Sequence, residues 1–128
     1  MPYYSKQVLD HFLHPKHLGR FDNPDGVGDT ENLKCGDIMK IYIKVAKKNN
    51  QEYIKDIRFE TMGCGTAIAS SDMICQLAKG KTLSRAKKIK FQDVADKLGA
   101  LPPQKIHCAH LAETALKSAI DNYEKKKK

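Results

Sequence analysis

Asp37-Ile38-Met39-Lys40-Ile41-Tyr42-Ile43-Lys44-Val45-Ala46 is the stretch on which the fold turns. Met39, Ile41, Ile43 and Val45 alternate with Lys40, Tyr42 and Lys44, the period of two that a half-buried β-strand requires. After Lys47 to Gln51, read as a turn, the pattern resumes. Tyr53, Ile57, Phe59 and Thr61 share one face, and Asp56, Arg58 and Glu60 share the other. Strands this close in sequence pair as an antiparallel meander with one face covered. Upstream, Val27 to Leu33 supplies a third strand. Leu18 to Asp29, with four glycines and prolines, reads as irregular. Before it, Ser5 caps a helix running to His14, with Val8, Leu9, Phe12 and Leu13 as its apolar stripe and Pro15 as its stop.

Downstream the sequence is helical. Gly65 to Lys79 is rich in small residues and ends at Gly80, a C-cap residue. Short helices follow at Leu83 to Lys87 and Phe91 to Leu98. Leu101-Pro102-Pro103 reads as extended, because each proline disfavours a helical residue before it. The last helix runs from about Lys105 to Tyr123. Its stripe is Cys108, Ala112, Ala115 and Ala119, flanked by Leu116, Ile120 and Tyr123. The expectation is one α+β domain over residues 1–128: a small antiparallel three-stranded sheet packed against several helices, the C-terminal one long. Lys125 to Lys128 read as a flexible lysine tail.

A chain of 128 residues is long enough to bury a core without disulfides or a structural metal. The apolar share of 41% and charged share of 30% exclude a disordered chain. No apolar run approaches the roughly 18 residues of a membrane span. The start has neither the basic nor the apolar region of a signal peptide. A cytoplasmic location is therefore expected, where cysteines serve as thiolates more often than as disulfides. Half of the net charge of +8 sits in Lys125 to Lys128. The remaining cations are scattered without an aromatic-plus-basic motif, which argues against a nucleic-acid partner.

Cys35, Cys64 and Cys108 each stand where a regular element begins. A helix N-terminus lowers a thiol's pKa, because the thiolate faces unpaired N–H groups. Gly63 and Gly65 around Cys64 suggest close approach of the backbone to a bound object. Three thiolates on three element ends suit a metal or sulfur centre, though spacing alone equally admits plain buried cysteines. There is no C-x-x-C pair to signal a zinc ribbon or a thioredoxin site. Cys75 lies eleven residues after Cys64, a rise of roughly 16 Å along one helix, and reads as core. Asp37, two residues from Cys35 in an extended chain, faces the same side as that thiol; a turn hydrogen bond is the plainer alternative. His107 beside Cys108 also reads as a solvent-exposed first-turn histidine, and His11, His14 and His17 read as surface or packing residues.

Taken together, these residues resemble the IscU-type iron–sulfur scaffold proteins, also seen as the N-terminal domain of NifU. The resemblance runs from Tyr4 to about Tyr123. It rests on Tyr4-Ser5, Val8 and Asp10-His11; on Cys35-Gly36-Asp37 with Met39-Lys40; and on Gly63-Cys64-Gly65-Thr66-Ala67-Ile68-Ala69-Ser70-Ser71. Lys79-Gly80-Lys81 and Leu101-Pro102-Pro103-Gln104-Lys105-Ile106-His107-Cys108 complete it. The resemblance implies a carrier with no turnover of its own, which builds a [2Fe–2S] cluster on Cys35, Cys64 and Cys108. Asp37 or His107 would supply the fourth ligand, with Lys105 assisting. Iron, sulfur delivered as persulfide by a cysteine desulfurase, and a ferredoxin-like electron donor would be its inputs. Acceptor apoproteins would receive the cluster. Cys108 and Cys35 are the candidate persulfide acceptors. A monomer or a cluster-bridged dimer is implied, with zinc as an occupant of the cluster-free form. The alternative role is a zinc-bound sulfur acceptor that stimulates the desulfurase.

Zinc-binding SUF-type relatives carry an insertion between the second and third cysteines and lack a histidine before the third. The compact gap and His107 place this sequence on the IscU side. Two departures stand out. Gln104 replaces the usual valine of a Leu-Pro-Pro-Val-Lys stretch, which counts against recognition by an Hsp70-type chaperone. Glu31-Asn32-Leu33-Lys34 is charged where the family has small apolar residues.

Overall fold

The hairpin at the centre of the fold is tighter than its apolar alternation suggests. In the computed structural model, which describes residues 5–32, 37–99, 101 and 103–127, strand β2 spans Asp37–Lys48 and β3 spans Gln51–Met62. Only Asn49 and Asn50 turn the chain, with φ of 53° and 65°. Two positive φ values give the primed turn whose twist matches the flanking strands, and asparagine tolerates that region better than most residues. The register runs Lys44↔Asp56 and then Val45↔Ile54, which leaves Lys55 as an extra residue. That bulge reverses the parity of β3. Ile54, and not the expected Tyr53, therefore joins Ile57 and Phe59 in the core.

Strand β1 (Gly26–Asn32) pairs antiparallel with β2, giving the order β1-β2-β3. Among the described residues five α-helices complete the fold: α1 (Lys6–Leu13), α2 (Gly65–Ala78), α3 (Leu83–Ala86), α4 (Phe91–Lys97) and α5 (Ile106–Lys127). The long α5 crosses β1 and β2, while α2 lies on β3 and touches α1 and α5. Close approach of α5 requires Gly26 and Gly28. A Cβ on them would stand 2.4 Å from the Ala119 carbonyl oxygen and 2.2 Å from that of Ala115. The buried face of α5 answers with Cys108, Ala112, Ala115 and Ala119.

Helix α5 differs from expectation at both ends. Pro103 opens a 3-10 turn, Pro103–Lys105, instead of continuing an extended segment; its fixed φ suits a first helical position. At the other end the helix runs on through Lys127. Lysines in a last turn are stabilised by the negative end of the helix dipole, so this run extends the helix where a tail was expected.

The N-terminal helix is capped by Ser5, whose Oγ accepts from the Val8 amide at 3.0 Å and donates to the Leu98 carbonyl. Val8 is buried, but Phe12 and Leu13 are 39% and 61% exposed, so the buried stripe is narrower than the sequence suggests. What fastens this region is Asp72, fully buried on α2. Its carboxylate accepts from the amides of Lys16 and His17 at 2.9 Å each and meets His11 Nδ1 at 2.5 Å. A buried carboxylate requires such partners. The same connection covers the edge of β3: Phe59 donates to the His17 carbonyl and Gly19 donates to the Phe59 carbonyl. Among the described residues, no helix is long and apolar enough to cross a membrane.

Candidate metal centre

Residues 37, 64, 107 and 108 are brought to one end of the sheet by three different elements. Asp37 is the first residue of β2 and only 3% exposed. Cys64 is the N-cap of α2, with extended φ and ψ of −78° and 173°. His107 and Cys108 occupy the first turn of α5. Their polar atoms converge. Cys64 Sγ lies 3.9 Å from Cys108 Sγ. Cys108 Sγ lies 3.5 Å from His107 Nε2 and 3.9 Å from Asp37 Oδ2. His107 Nε2 meets Asp37 Oδ2 at 3.1 Å. The donor atoms of Asp37, His107 and Cys108 all lie within 4.8 Å of one another.

The two thiols have opposite characters. Burial works against a thiolate at Cys64, but the amides of Ala67 and Thr66, Lys105 and the Cys108 thiol outweigh it and hold the pKa below the ordinary value. Cys108 is pushed up by burial first, then by the neighbouring Cys64 and Asp37. A positive ion at this point would reverse the second effect, since coordination deprotonates a thiol outright. The donor set is chemically apt. Two sulfurs, one imidazole and one carboxylate match borderline-soft ions such as zinc and iron. Two sulfurs each about 2.3 Å from one tetrahedral centre stand roughly 3.8 Å apart, close to the observed separation.

Cys35 lies outside the described residues, as do Leu33 and Lys34 of the charged stretch before it; nothing is described of the Gln104 side chain. Lys105 is close enough to lower both thiols. Cys75 stands apart, fully buried, its thiol driven well above the ordinary value by burial and then by Asp72 and Asp56. Of the three spaced histidines, His11 packs on Asp72.

The glycines around Cys64 do something the sequence does not reveal. Gly63 faces the Asp37 carboxylate and Gly65 lies under the Phe12 ring, so both make room for neighbouring side chains. Asp72 was equally silent; its only signal is a lone acid within an otherwise small and apolar helix.

The model of the NifU-like N-terminal domain matches residues 3–128. An iron–sulfur cluster assembly scaffold protein IscU of Archaeoglobus fulgidus is 50% identical over 123 residues, covering 96% of this chain and 78% of the relative. Its namesake in Escherichia coli is 48% identical over 127 residues, covering 97% and 96%. Among solved structures, a proposed scaffold protein for the SUF system from Fervidobacterium islandicum superposes with a TM-score of 0.72. It covers 93% of this chain and 97% of its own, at 23% identity, and so speaks for the fold alone. A match across nearly the whole length, on a chain whose ligand-type residues converge, leaves one assignment: the chain belongs to the NifU-like N-terminal domain family.

Proposed function

We propose that this protein is a scaffold on which a [2Fe–2S] cluster is assembled and from which it is passed to acceptor apoproteins. The observation that carries the reading is the meeting of Cys64, Cys108, His107 and Asp37 within hydrogen-bond to van der Waals distance, from elements far apart in sequence. Cys35, just before β2, would add the third thiolate. The names of the IscU relatives support the same role.

Sulfur arrives on a cysteine desulfurase as a persulfide. An acceptor thiolate attacks the terminal sulfur: a new S–S bond forms on the scaffold and the old one breaks, leaving the desulfurase thiolate. Cys108, put forward by the sequence together with Cys35, is fully buried and raised in pKa. Among the described thiols Cys64 is the better nucleophile, partly exposed and lowered in pKa. Two electrons from a ferredoxin-like donor would reduce the bound sulfur to sulfide. Four thiolates hold such a cluster firmly; a carboxylate or imidazole at one corner is a harder, less matched ligand, which favours release. The protein acts as a carrier in the cytoplasm, as a monomer or a cluster-bridged dimer.

Anaerobic reconstitution with iron, cysteine and a desulfurase tests this directly. Visible absorption of a [2Fe–2S] centre is expected, lost in Cys35→Ser, Cys64→Ser and Cys108→Ser and retained in Cys75→Ser. Cluster loss in the Cys75 variant, with the fold intact, would overturn the ligand choice. The single-ion spacing of the two sulfurs favours a second reading, a zinc-bound sulfur acceptor. That reading predicts full-rate sulfide transfer with no iron ever retained.

A further inference from the structure

Gly63 has no conformational reason to be glycine. Among the described glycines, positive φ falls at Gly19, Gly80 and Gly99 and not at Gly63. Space is what it lacks. A Cβ there would stand 2.4 Å from Asp37 Oδ1 and 3.1 Å from Asp37 Cγ, with Ala67 Cβ also at 3.1 Å. The Ala67 contact requires a few tenths of an ångström of give. The Asp37 contact does not fit at all. The other oxygen of the same carboxylate, Oδ2, is the one directed at His107 and Cys108. One oxygen of Asp37 thus occupies the space left by the absent side chain, and the other reaches the donor cluster.

We propose that Gly63 is a positioning residue: by leaving that space empty it sets where the Asp37 carboxylate stands relative to Cys108 and His107. The inference rests on the assembly-site reading above and adds to it the group that aims Asp37. A methyl at position 63 forces the carboxylate to rotate or retreat. The site keeps its thiols and its imidazole but loses its oxygen donor. Gly63→Ala should therefore reproduce the behaviour of a protein without the carboxylate, though Asp37 is still present.

Four proteins decide the matter: wild type, Gly63→Ala, Asp37→Ala and the double variant. Two measurements apply, thermal unfolding of the metal-free protein and anaerobic titration with Co2+, whose ligand-field bands report the donor set. Gly63→Ala alone should lower the Tm by about 5 °C, an overpacking cost. It should weaken Co2+ about tenfold, the loss typical of a displaced supporting group, and its bands should move to those of Asp37→Ala. In the Asp37→Ala background the clashing carboxylate is gone and only the milder Ala67 contact remains, so Gly63→Ala should then cost much less Tm and leave the spectrum unchanged. Unchanged Co2+ bands and affinity in Gly63→Ala would overturn the proposal. So would an equal Tm loss in both backgrounds, or a double variant that fails to fold, since either marks a backbone or Ala67 role. A wild-type protein that takes up no Co2+ would instead sink the assembly reading, while the comparison of Tm losses still decides Gly63.

Discussion

Cys64 and Cys108 are 3.9 Å apart yet opposite in acid–base character, and that contrast is measurable thiol by thiol. Cys64 carries a lowered pKa and a partly open surface, whereas Cys75 and Cys108 are buried and raised. In the metal-free protein, iodoacetamide should modify Cys64 far faster than Cys75 or Cys108. The Cys64 rate should level off below the ordinary thiol pKa, because its thiolate is already formed there. Peptide mapping by mass spectrometry over a pH series checks both points; Cys108 labelled first would contradict the assignment. Asp37 yields a second expectation. On the proposed ligand set, Asp37→Ala removes the harder ligand, so cluster transfer to an apoprotein should slow and the cluster lifetime lengthen. Transfer kinetics equal to wild type would exclude a ligand role for the carboxylate. At this scale the sequence is informative about identity and silent about contact. Cys64 and Cys108 at helix starts were legible from the helical patterns that begin near Gly65 and Lys105. The room Gly63 leaves for Asp37, and the burial of Asp72 against His11, were not, since both depend on residues 26 and 61 positions away meeting in space.

Sheet and helices were legible to the extent that burial repeats along them. The alternation in β2 and the small-residue stripe of α5 reappear in the structure as the faces of the core. The bulge at Lys55 did not show, because an extra residue is defined only by the strand it pairs with. The two-residue turn was also missed: polar Lys47, Lys48 and Gln51 read as loop, although the ladder continues through them. Close contact between α5 and β1 gives the element-scale prediction. A Cβ at Gly28 would stand 2.2 Å from both the Ala115 carbonyl oxygen and the Ala119 amide nitrogen, and helix backbone has no way to yield locally. Gly28→Ala should cost about 3 kcal/mol in urea unfolding. Gly80→Ala meets nothing within 4 Å but sits at φ +85°, and should cost about 1 kcal/mol from backbone strain alone. Equal costs at the two sites would refute the packing account of β1.

At the scale of the whole molecule, the donor cluster exists only when β2, α2 and α5 are all docked. The unfolded chain scatters the same residues, so a metal ion that bridges them binds the native state preferentially and stabilises it by mass action, by about 2.7 kcal/mol at a hundred times Kd. Zn2+ should accordingly raise the Tm by several degrees. The increment should vanish in Cys64→Ser and Cys108→Ser and persist in Cys75→Ala, as differential scanning calorimetry would read. A Cys75→Ala protein that loses the increment would point to a different ligand set.

The Asn49–Asn50 tip of the hairpin has a practical bearing. Along the 12 residues of β2, at about 3.3 Å per residue, it stands roughly 40 Å from Asp37. A fluorophore or an affinity tether attached at that apex would be carried at the opposite pole from the donor cluster. Surface immobilisation or energy-transfer experiments that test the proposed hand-over could then leave that end unobstructed.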